Sequence, residues 1–207
     1  MSTFDDVAAL EAWREGDESA GQALLRHHFE RLYLFFSNKV SGDVSDLVQR
    51  TMMACVEGRD RIASCASFRS YLLGIARHLL IERYRKERSL PVQQVTEMSV
   101  ADLATSPIDV VARSRDTRLL LGALRSIPLD LQIVLELVYW EELSSAELAS
   151  ALDAPLGTAK SRVRRAREKL SEAIARLQAE GSPHSTSDDL ERWVRSIRGE
   201  IAFRPSG

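Results

Sequence analysis

The stretch that decides the fold is residues 144–169, SSAELASALDAPLGTAKSRVRRAREK. It opens with a capping-box pattern, because Ser144 and Glu147 are spaced so that each can satisfy a backbone group at a helix start. The residues DAPLG at 153–157 then interrupt the helical pattern, and Thr158 is placed to cap a second helix. Two helices joined by a short turn predict a helix-turn-helix.

The second predicted helix has an apolar side and a basic side. Its apolar residues recur at steps of three and four, which places them on one stripe; they are Ala159, Val163, Ala166, Leu170, Ile174 and Leu177. The other faces carry Thr158, Lys160, Ser161, Arg162, Arg164, Arg165, Arg167 and Lys169. A helix that reads a major groove needs this division, since one side packs and the other offers guanidinium groups to guanine edges and phosphates. The pattern favours duplex DNA binding over a merely solvated basic face.

The overall charge argues less clearly for a nucleic-acid partner. The chain has 207 residues, 44% of them hydrophobic, and a formal net charge of −2. That length and hydrophobic content suffice for two small cores. The charge is segregated, however, with a basic segment at 160–169 and an acidic one at 5–18. Local field matters more than total charge for docking in a groove.

The sequence favours a cytoplasmic protein without catalytic or metal chemistry. Asp5 and Asp6 stand where a secretory signal would be basic and then apolar, and no apolar run is long enough to span a bilayer. The two cysteines form no disulfide framework. His27 and His28 have no carboxylate or thiol at ligand spacing, so no metal and no cofactor are expected. No nucleophile–base pair or Gly-rich phosphate loop suggests an enzyme.

The N-terminal part predicts a series of amphipathic helices. One spans 7–13, and Asp17 starts the next after Gly16. Asp43 caps a third. Its buried stripe is Val44, Leu47, Val48, Thr51, Met52, Cys55 and Val56, while Met53 falls on the exposed side with Asp46, Gln49 and Arg50. An exposed methionine among polar groups indicates a partner surface.

A long helix opening at Phe68 mixes aromatic and cationic residues. Its inward positions are Phe68, Tyr71, Leu72, Ile75 and Leu79, and its other faces carry Arg69, Arg77, His78, Arg83, Arg85, Lys86 and Arg88. Tyr71 and Tyr84 are interleaved with these cations, as a surface that stacks single-stranded bases and holds phosphates requires. A basic solvated helix end remains the alternative.

Composition divides the chain into four parts. We predict an all-α fold of two small helical domains joined by a flexible linker: an N-terminal domain at 1–88, a linker at 89–116, a C-terminal helix-turn-helix domain at 117–178, and an extension at 179–207. One short helix is expected at 108–115 within the linker. The extension contains an amphipathic segment around Trp193, which we expect either to fold back on the C-terminal domain or to bind a regulator.

Taken together in this order, several stretches resemble bacterial sigma factors of the extracytoplasmic-function (ECF) group. They are AWREGD at 12–17 with LY at 32–33, DLVQRT at 46–51, SFRSYL at 67–72 with IAR at 75–77, IP at 127–128 with VLEL at 134–137, and GTAKSR at 157–162 with RA at 165–166. The resemblance covers roughly residues 8–88 and 117–177. Each stretch is loose alone, and the ordered set is specific.

The resemblance implies three surfaces and no catalysis. Asp46, Leu47, Gln49, Arg50 and Met53 would dock on the clamp helices of the largest subunit of core RNA polymerase. Arg69, Tyr71, Arg77, His78, Arg83, Tyr84, Arg85 and Lys86 would bind and help open the promoter −10 element. Thr158, Lys160, Ser161, Arg162, Arg164, Arg165 and Arg167 would read the −35 element. An anti-sigma factor is a further candidate partner, and no membrane insertion is expected.

The chain departs from the family pattern at three places. His78 stands where the family usually has Asn, Tyr71 replaces the common Trp, and Cys55-Val56 occupies a position often filled by Ala-Trp. Because His78 and Tyr71 keep polar and aromatic character, we expect an altered −10 preference and not a lost function.

Two other classes of protein compete with this interpretation. A stand-alone helix-turn-helix regulator would lack polymerase docking, but it would need to dimerise to read two half-sites, and no zipper is evident. A helical interaction module that binds no DNA would use its basic faces for acidic protein partners. Binding to core polymerase would distinguish a sigma factor from a stand-alone regulator. Salt-dependent DNA binding would distinguish it from an interaction module that binds no DNA.

Overall fold

The computed structural model describes residues 4–59, 62, 66–103 and 115–179. In these residues every regular element is an α-helix, apart from an isolated bridge between Ser99 and Pro128. The N-terminal helices are α1 Asp6–Arg14, α2 Glu18–Ser37, α3 Val44–Glu57 and α4 Phe68–Arg88. They are followed by α5 Val92–Glu97, α6 Val100–Leu103, α7 Arg115–Ser126, α8 Leu129–Tyr139, α9 Ser145–Ala151 and α10 Leu156–Ala179. The predicted all-α class with two helical domains is confirmed.

Local capping signals account for several helix starts. The Asp17 carboxylate accepts hydrogen bonds from the amides of Ser19 and Ala20, and the Asp43 carboxylate accepts one from the Asp46 amide. Such bonds satisfy donors that have no partner within the helix. Gly16, at φ 107°, makes the turn between α1 and α2 in a conformation that few other residues adopt. The predicted starts of α2 and α3 are confirmed.

The helix-turn-helix forms with one correction to its turn. The predicted capping box is present, with the Glu147 amide 3.3 Å from Ser144 Oγ and the Ser144 amide 2.8 Å from Glu147 Oε2. However, α10 begins at Leu156, so Thr158 lies inside its first turn and is not the cap. Pro155 lacks an amide and its φ is fixed, and its carbonyl accepts from the Ala159 amide at 3.0 Å. The helix therefore starts immediately after the proline.

Most of the predicted apolar stripes are buried. On α10, Ala159, Ala166, Leu170 and Ile174 are buried, and Val163 and Leu177 pack against them. On α3, Met53 is exposed as predicted, at 53%. The prediction for Val56 was wrong, because its side chain is 48% exposed near the C-terminal end of α3.

Helix α4 is buried on more of its surface than its periodicity predicted. Phe68 and Leu72 lie in the core as expected, and Leu73, Ala76 and Leu80 are buried as well. The reason is that α4 contacts both α3 of the N-terminal domain and α9 of the C-terminal domain. A periodicity analysis finds the first covered face but does not reveal a second one supplied by a distant element.

Part of the predicted linker is helical. Val95 on α5 and Val100 on α6 are fully buried, and the Leu129 amide donates to the Met98 carbonyl at 2.8 Å. Helices this short carry no clear periodic signal, so composition alone suggested a loop. The helix expected at 108–115 lies outside the described residues except for Arg115, which begins α7. The extension with Trp193 also lies outside them. No helix in the described ranges is long and apolar enough to cross a membrane.

Gly21 on α2 tests the packing of α1 on α2, and Gly157 on α10 serves as a control. A Cβ on Gly21 would lie 2.5 Å from the indole of Trp13, which is buried, whereas a Cβ on Gly157 would meet nothing within 4 Å. We expect Gly21→Ala to lower the free energy of unfolding by about 1–3 kcal/mol through overpacking, despite the better helix propensity of alanine. Gly157→Ala, the matched control, should raise it by up to about 1 kcal/mol. Urea unfolding followed by circular dichroism measures both, and equal changes would contradict the packing described.

Candidate promoter and polymerase interfaces

The first half of α10 presents an open cationic face. Arg164 has an 80% exposed side chain, and Lys160, Ser161, Arg165 and Arg167 are also exposed. Two other predicted residues are less open. Thr158 is half-buried and its carbonyl accepts from Ser161 Oγ at 2.9 Å. Arg162 is held by Asp130, with Nε 3.8 Å from Oδ2.

On α4 the predicted residues divide into those near the C-terminal end and those that face the other domain. Arg85, Lys86 and His78 are exposed. The guanidinium of Arg83 donates from Nε to Glu87 at 2.7 Å and also reaches the carbonyls of Ser41 and Asp43. Arg83 therefore ties α4 to the turn between α2 and α3 as well as adding charge.

Tyr84 is not part of a surface. Its side chain is 2% exposed, and its hydroxyl donates to the Lys39 carbonyl. Burial raises the pKa of Tyr84 to about 12. The predicted base-stacking role of Tyr84 is wrong in this conformation, because the ring is a core element. Tyr71 is half-buried, and its hydroxyl donates to the Gly58 carbonyl at 3.0 Å.

Arg69 and Arg77 point at the C-terminal domain. Arg77 Nη2 lies 2.7 Å from Asp130 Oδ1 at the start of α8. Arg69 donates to the Glu141 carbonyl at 3.2 Å and lies 3.6 Å from the Glu147 carboxylate. Two of the cations predicted to meet the −10 element are thus engaged within the chain.

The exposed face of α3 brings most of the predicted docking residues together. Asp46, Gln49, Arg50 and Met53 are exposed along one side, and Arg50 lies 3.8 Å from Asp46 and 4.0 Å from Glu82. Leu47 is the exception. It is fully buried in the core, so its side chain does not belong to the docking surface.

Two exposed apolar residues, one on α3 and one on α2, were not expected from the sequence. Val56 on α3 and Phe29 on α2 are each 48% exposed. Phe29 had no distinguishing signal in the sequence. Val56 continues the three-and-four repeat from Met52, so the sequence pattern gave no sign of its exposure either. An exposed apolar group among charges is typical of an interaction site.

The two histidines gain a carboxylate neighbour that their spacing did not reveal. Packing of α1 on α2 places Asp6 Oδ2 2.9 Å from His28 Nε2, and ligand atoms of Asp6, His27 and His28 lie within 4.8 Å of one another. Burial tends to raise the pKa of Asp6, but the hydrogen bond and charge of His28 lower it overall. Burial and the neighbouring His28 lower the pKa of His27. The contact between Asp6 and His28 is therefore a hydrogen bond that joins α1 to α2.

Cys55 behaves as the apolar residue that its position predicts. It is buried and unpaired, and burial raises the pKa of its thiol to about 12. A thiol with so high a pKa is a poor nucleophile at neutral pH. Cys65 lies outside the described residues.

Comparison with known proteins gives two family matches in the order that the helices suggest. Residues 23–90 match the model of sigma-70 region 2, and residues 117–170 match that of sigma-70 region 4. The first match covers α3 and α4, and the second covers the helix-turn-helix. The chain belongs to the sigma-70 family of RNA polymerase sigma factors.

Individual relatives narrow this assignment. The "ECF RNA polymerase sigma-E factor" of Escherichia coli (strain K12) is 25% identical over 182 residues, which are 83% of this chain and 95% of that protein. The protein of the same name from Salmonella typhi is equally similar, at 25% over 182 residues. The "RNA polymerase sigma factor HrpL" of Pseudomonas syringae pv. syringae is 28% identical over 170 residues, 78% of this chain and 91% of that protein. Within the family, the chain is a sigma factor of the ECF group, a protein that directs promoter-specific transcription initiation.

Proposed function

We propose that the protein binds core RNA polymerase through α3 and applies α4 to the −10 element and α10 to the −35 element of its promoters. The observation that carries this assignment is the presence of regions 2 and 4 in order, the second containing a helix with an open cationic face. The work is binding and positioning, and it takes place on the chromosome, in the cytoplasm. The anti-sigma factor common in this group is a candidate partner.

The −35 role rests on the shape and charge of α10. The helix begins immediately after the helix-turn-helix turn, and Lys160, Arg164 and Arg165 project from its first turns away from the buried stripe. The first turns of such a helix are the part that reaches base edges in a major groove. Arginine offers a bidentate fork to guanine, whereas lysine offers a point charge suited to phosphate. We assign Arg165 to base readout and Lys160 to the backbone.

The −10 role rests on the cations of α4. His78, Arg85 and Lys86 are exposed, and Arg69, Arg77 and Arg83 lie on the same helix. An opened strand needs positive charge along its backbone and flat groups for its bases. Because Tyr84 is buried, the aromatic contribution falls to Tyr71 and the imidazole of His78.

The docking role rests on an apolar group set among charges on α3. Met53 is exposed beside Gln49, Arg50 and Asp46, and Val56 extends the apolar area by one turn. A buried apolar anchor within a polar rim is the usual composition of a protein–protein interface. This surface is independent of the cations on α10.

Transcription with purified components tests the proposal as a whole. The full chain and core polymerase are given genomic DNA, and start sites are mapped with and without the chain. We expect start sites that appear only with the chain and that share two upstream sequence elements. A chain that binds duplex DNA but never associates with core polymerase would instead be a stand-alone regulator. A chain that binds neither would be an interaction module.

Substitutions on α10 separate base readout from backbone contact. Arg165→Ala should cost about 1–3 kcal/mol in promoter affinity and relax the preference at one −35 position. Lys160→Ala should weaken binding to all sequences and reduce the salt slope by about one. The assay is a titration of single-base promoter variants at several salt concentrations, with the chain bound to core polymerase. Arg176→Ala, at the far end of the same helix, is the control. Identical effects of the first two variants on every DNA would refute the assignment.

A substitution on α3 isolates polymerase docking. Met53→Ala should weaken association with core polymerase about tenfold, since it removes an apolar anchor. Its effect on stability should stay within about 0.5 kcal/mol, because the side chain is exposed. Val92→Ala, on α5, removes a similarly exposed apolar side chain, at 51%, and should leave the association unchanged. Biolayer interferometry against immobilised core enzyme provides the comparison, and equal losses for the two variants would remove the docking assignment.

A further inference from the structure

Three side chains with metal-binding chemistry meet where α1 packs on α2. Asp6 is the first residue of α1, and His27 and His28 are neighbours on α2. One ligand atom from each lies within 4.8 Å of the other two. In the part of the chain that the structure describes, this is the one place where three histidine, cysteine or carboxylate side chains come close enough to share an ion. None of the three belongs to the residues assigned to polymerase or promoter.

The distances within this cluster fit a small divalent ion after a modest adjustment. His28 Nε2 lies 2.9 Å from Asp6 Oδ2. Nitrogen and oxygen ligands lie about 2.0–2.2 Å from Zn²⁺, so two ligands of a tetrahedral ion are separated by about 3.3 Å. This pair must therefore open by less than about 0.5 Å. The ligand atom of His27 must move closer by at most about 1.5 Å, since it lies within 4.8 Å of the others.

One ligand of the cluster is held in place, and another can adjust. His28 is 2% exposed, and its ring centroid lies 5.2 Å from that of Phe68. His27 is exposed, and its ring stacks on Phe4 with the centroids 4.5 Å apart. Rotation about the side-chain bonds of His27 can bring its imidazole to the ion while both helix backbones stay in place. The Asp6 side chain is 25% exposed, so water can occupy a fourth coordination position.

The charges around the cluster are compatible with a bound cation. Arg31 and Arg69 both act on it electrostatically. Arg31 lies 3.6 Å from the Glu141 carboxylate, and Arg69 lies 3.6 Å from the Glu147 carboxylate. Because each arginine is paired, its repulsion of an incoming cation is reduced. The Asp6 carboxylate supplies a negative charge at the site itself.

The ligand types select a class of ion. Imidazole suits Zn²⁺ and the other late divalent transition metals, whereas Mg²⁺ and Ca²⁺ need oxygen ligands and Cu⁺ favours sulfur. Zn²⁺ has no geometric preference from its d electrons, so it tolerates ligands that are only approximately tetrahedral. Three protein ligands with one water form a common zinc coordination set.

We propose that Asp6, His27 and His28 form a binding site for Zn²⁺ that ties α1 to α2. The ion replaces the hydrogen bond between Asp6 and His28 and adds a third link through His27. Because the ion binds the folded chain, its binding free energy adds to the free energy of unfolding. This inference does not depend on the functions proposed for α3, α4 and α10.

Zinc titration of the full chain provides the first test. The parent and every variant carry Cys65→Ser, so that the only remaining thiol is that of the buried Cys55. Each protein is stripped with a chelator, dialysed and titrated with ZnCl₂ in an isothermal calorimeter. We expect one ion per chain for the parent. His27→Ala, which removes an exposed ligand, should bind about tenfold more weakly or worse. Asp6→Asn should lose as much, because an amide keeps a hydrogen bond but not the negative charge.

His78→Ala is the matched control for zinc binding. It removes an exposed imidazole from α4 and should bind zinc as the parent does. Equal zinc affinities of the parent, His27→Ala and Asp6→Asn would overturn the proposed site. So would a parent that shows no stoichiometric binding.

Thermal unfolding shows whether the ion acts where α1 packs on α2. Zn²⁺ should raise the Tm of the parent and of His78→Ala as its concentration increases, and chelator should reverse the rise. His27→Ala should unfold at about the Tm of the parent without zinc and should gain nothing from zinc. A rise of equal size in His27→Ala would place the ion elsewhere and refute the site.

Discussion

The buried contact between Lys39 and Glu136 determines how the two domains can pack against each other. Burial lowers the pKa of the Lys39 amine, and the charge and hydrogen bond of Glu136 oppose that shift. An ammonium ion without a carboxylate in that position would carry a large desolvation cost. The domains therefore fit together only in the register that brings these two residues into contact. The same pair contributes little net stability, because both ions return to water when the domains part. An interface of this kind is specific in geometry and modest in free energy.

Arg77 and Arg162, at the edge of the interface, are also paired with a carboxylate, but they are partly exposed and so have a smaller desolvation cost. Within the described residues, Arg77 Nε and Arg162 Nη1 are buried without a hydrogen-bond partner. Each guanidinium is thus only partly satisfied by Asp130, and a buried donor without an acceptor costs free energy. Phosphate oxygens on DNA would satisfy more of these donors.

The features that the sequence predicted well are those determined within a few residues. Asp17, Asp43 and the Ser144–Glu147 box act on amides two or three positions away, so spacing alone located three helix starts. The apolar stripe of α10 was also predicted correctly, because that helix is buried on one side only. With Thr158 as the cap, the predicted start of α10 was three residues too late, because the helix begins at Leu156, directly after Pro155.

The failures share a different cause, which is contact with elements far along the chain. The buried Tyr84 donates its hydroxyl to the carbonyl of Lys39, 45 positions away, and Asp6 meets His28 across 22 positions. Neither distance leaves a trace in helical periodicity. Leu47 was assigned to docking because the resemblance marked its segment, although its own position on the stripe indicated the core. The second buried face of α4 could not be predicted from periodicity, because the helix that covers it, α9, belongs to the other domain.

The distribution of open and masked surfaces gives the proposed binding events an order. Met53, Gln49 and Asp46 on α3 are exposed while Arg69 and Arg77 on α4 are paired within the chain. If the proposed assignments hold, core polymerase would find its docking residues on α3 exposed, whereas Arg69 and Arg77 would first have to leave their carboxylate partners to meet DNA. A partner shifts a two-state equilibrium only by its differential affinity for the two states. Docking on α3 alone would be the same in both states and would open nothing. The free energy for opening must then come from contacts that core polymerase makes with surfaces hidden between the packed domains, or from a preference for the separated domains.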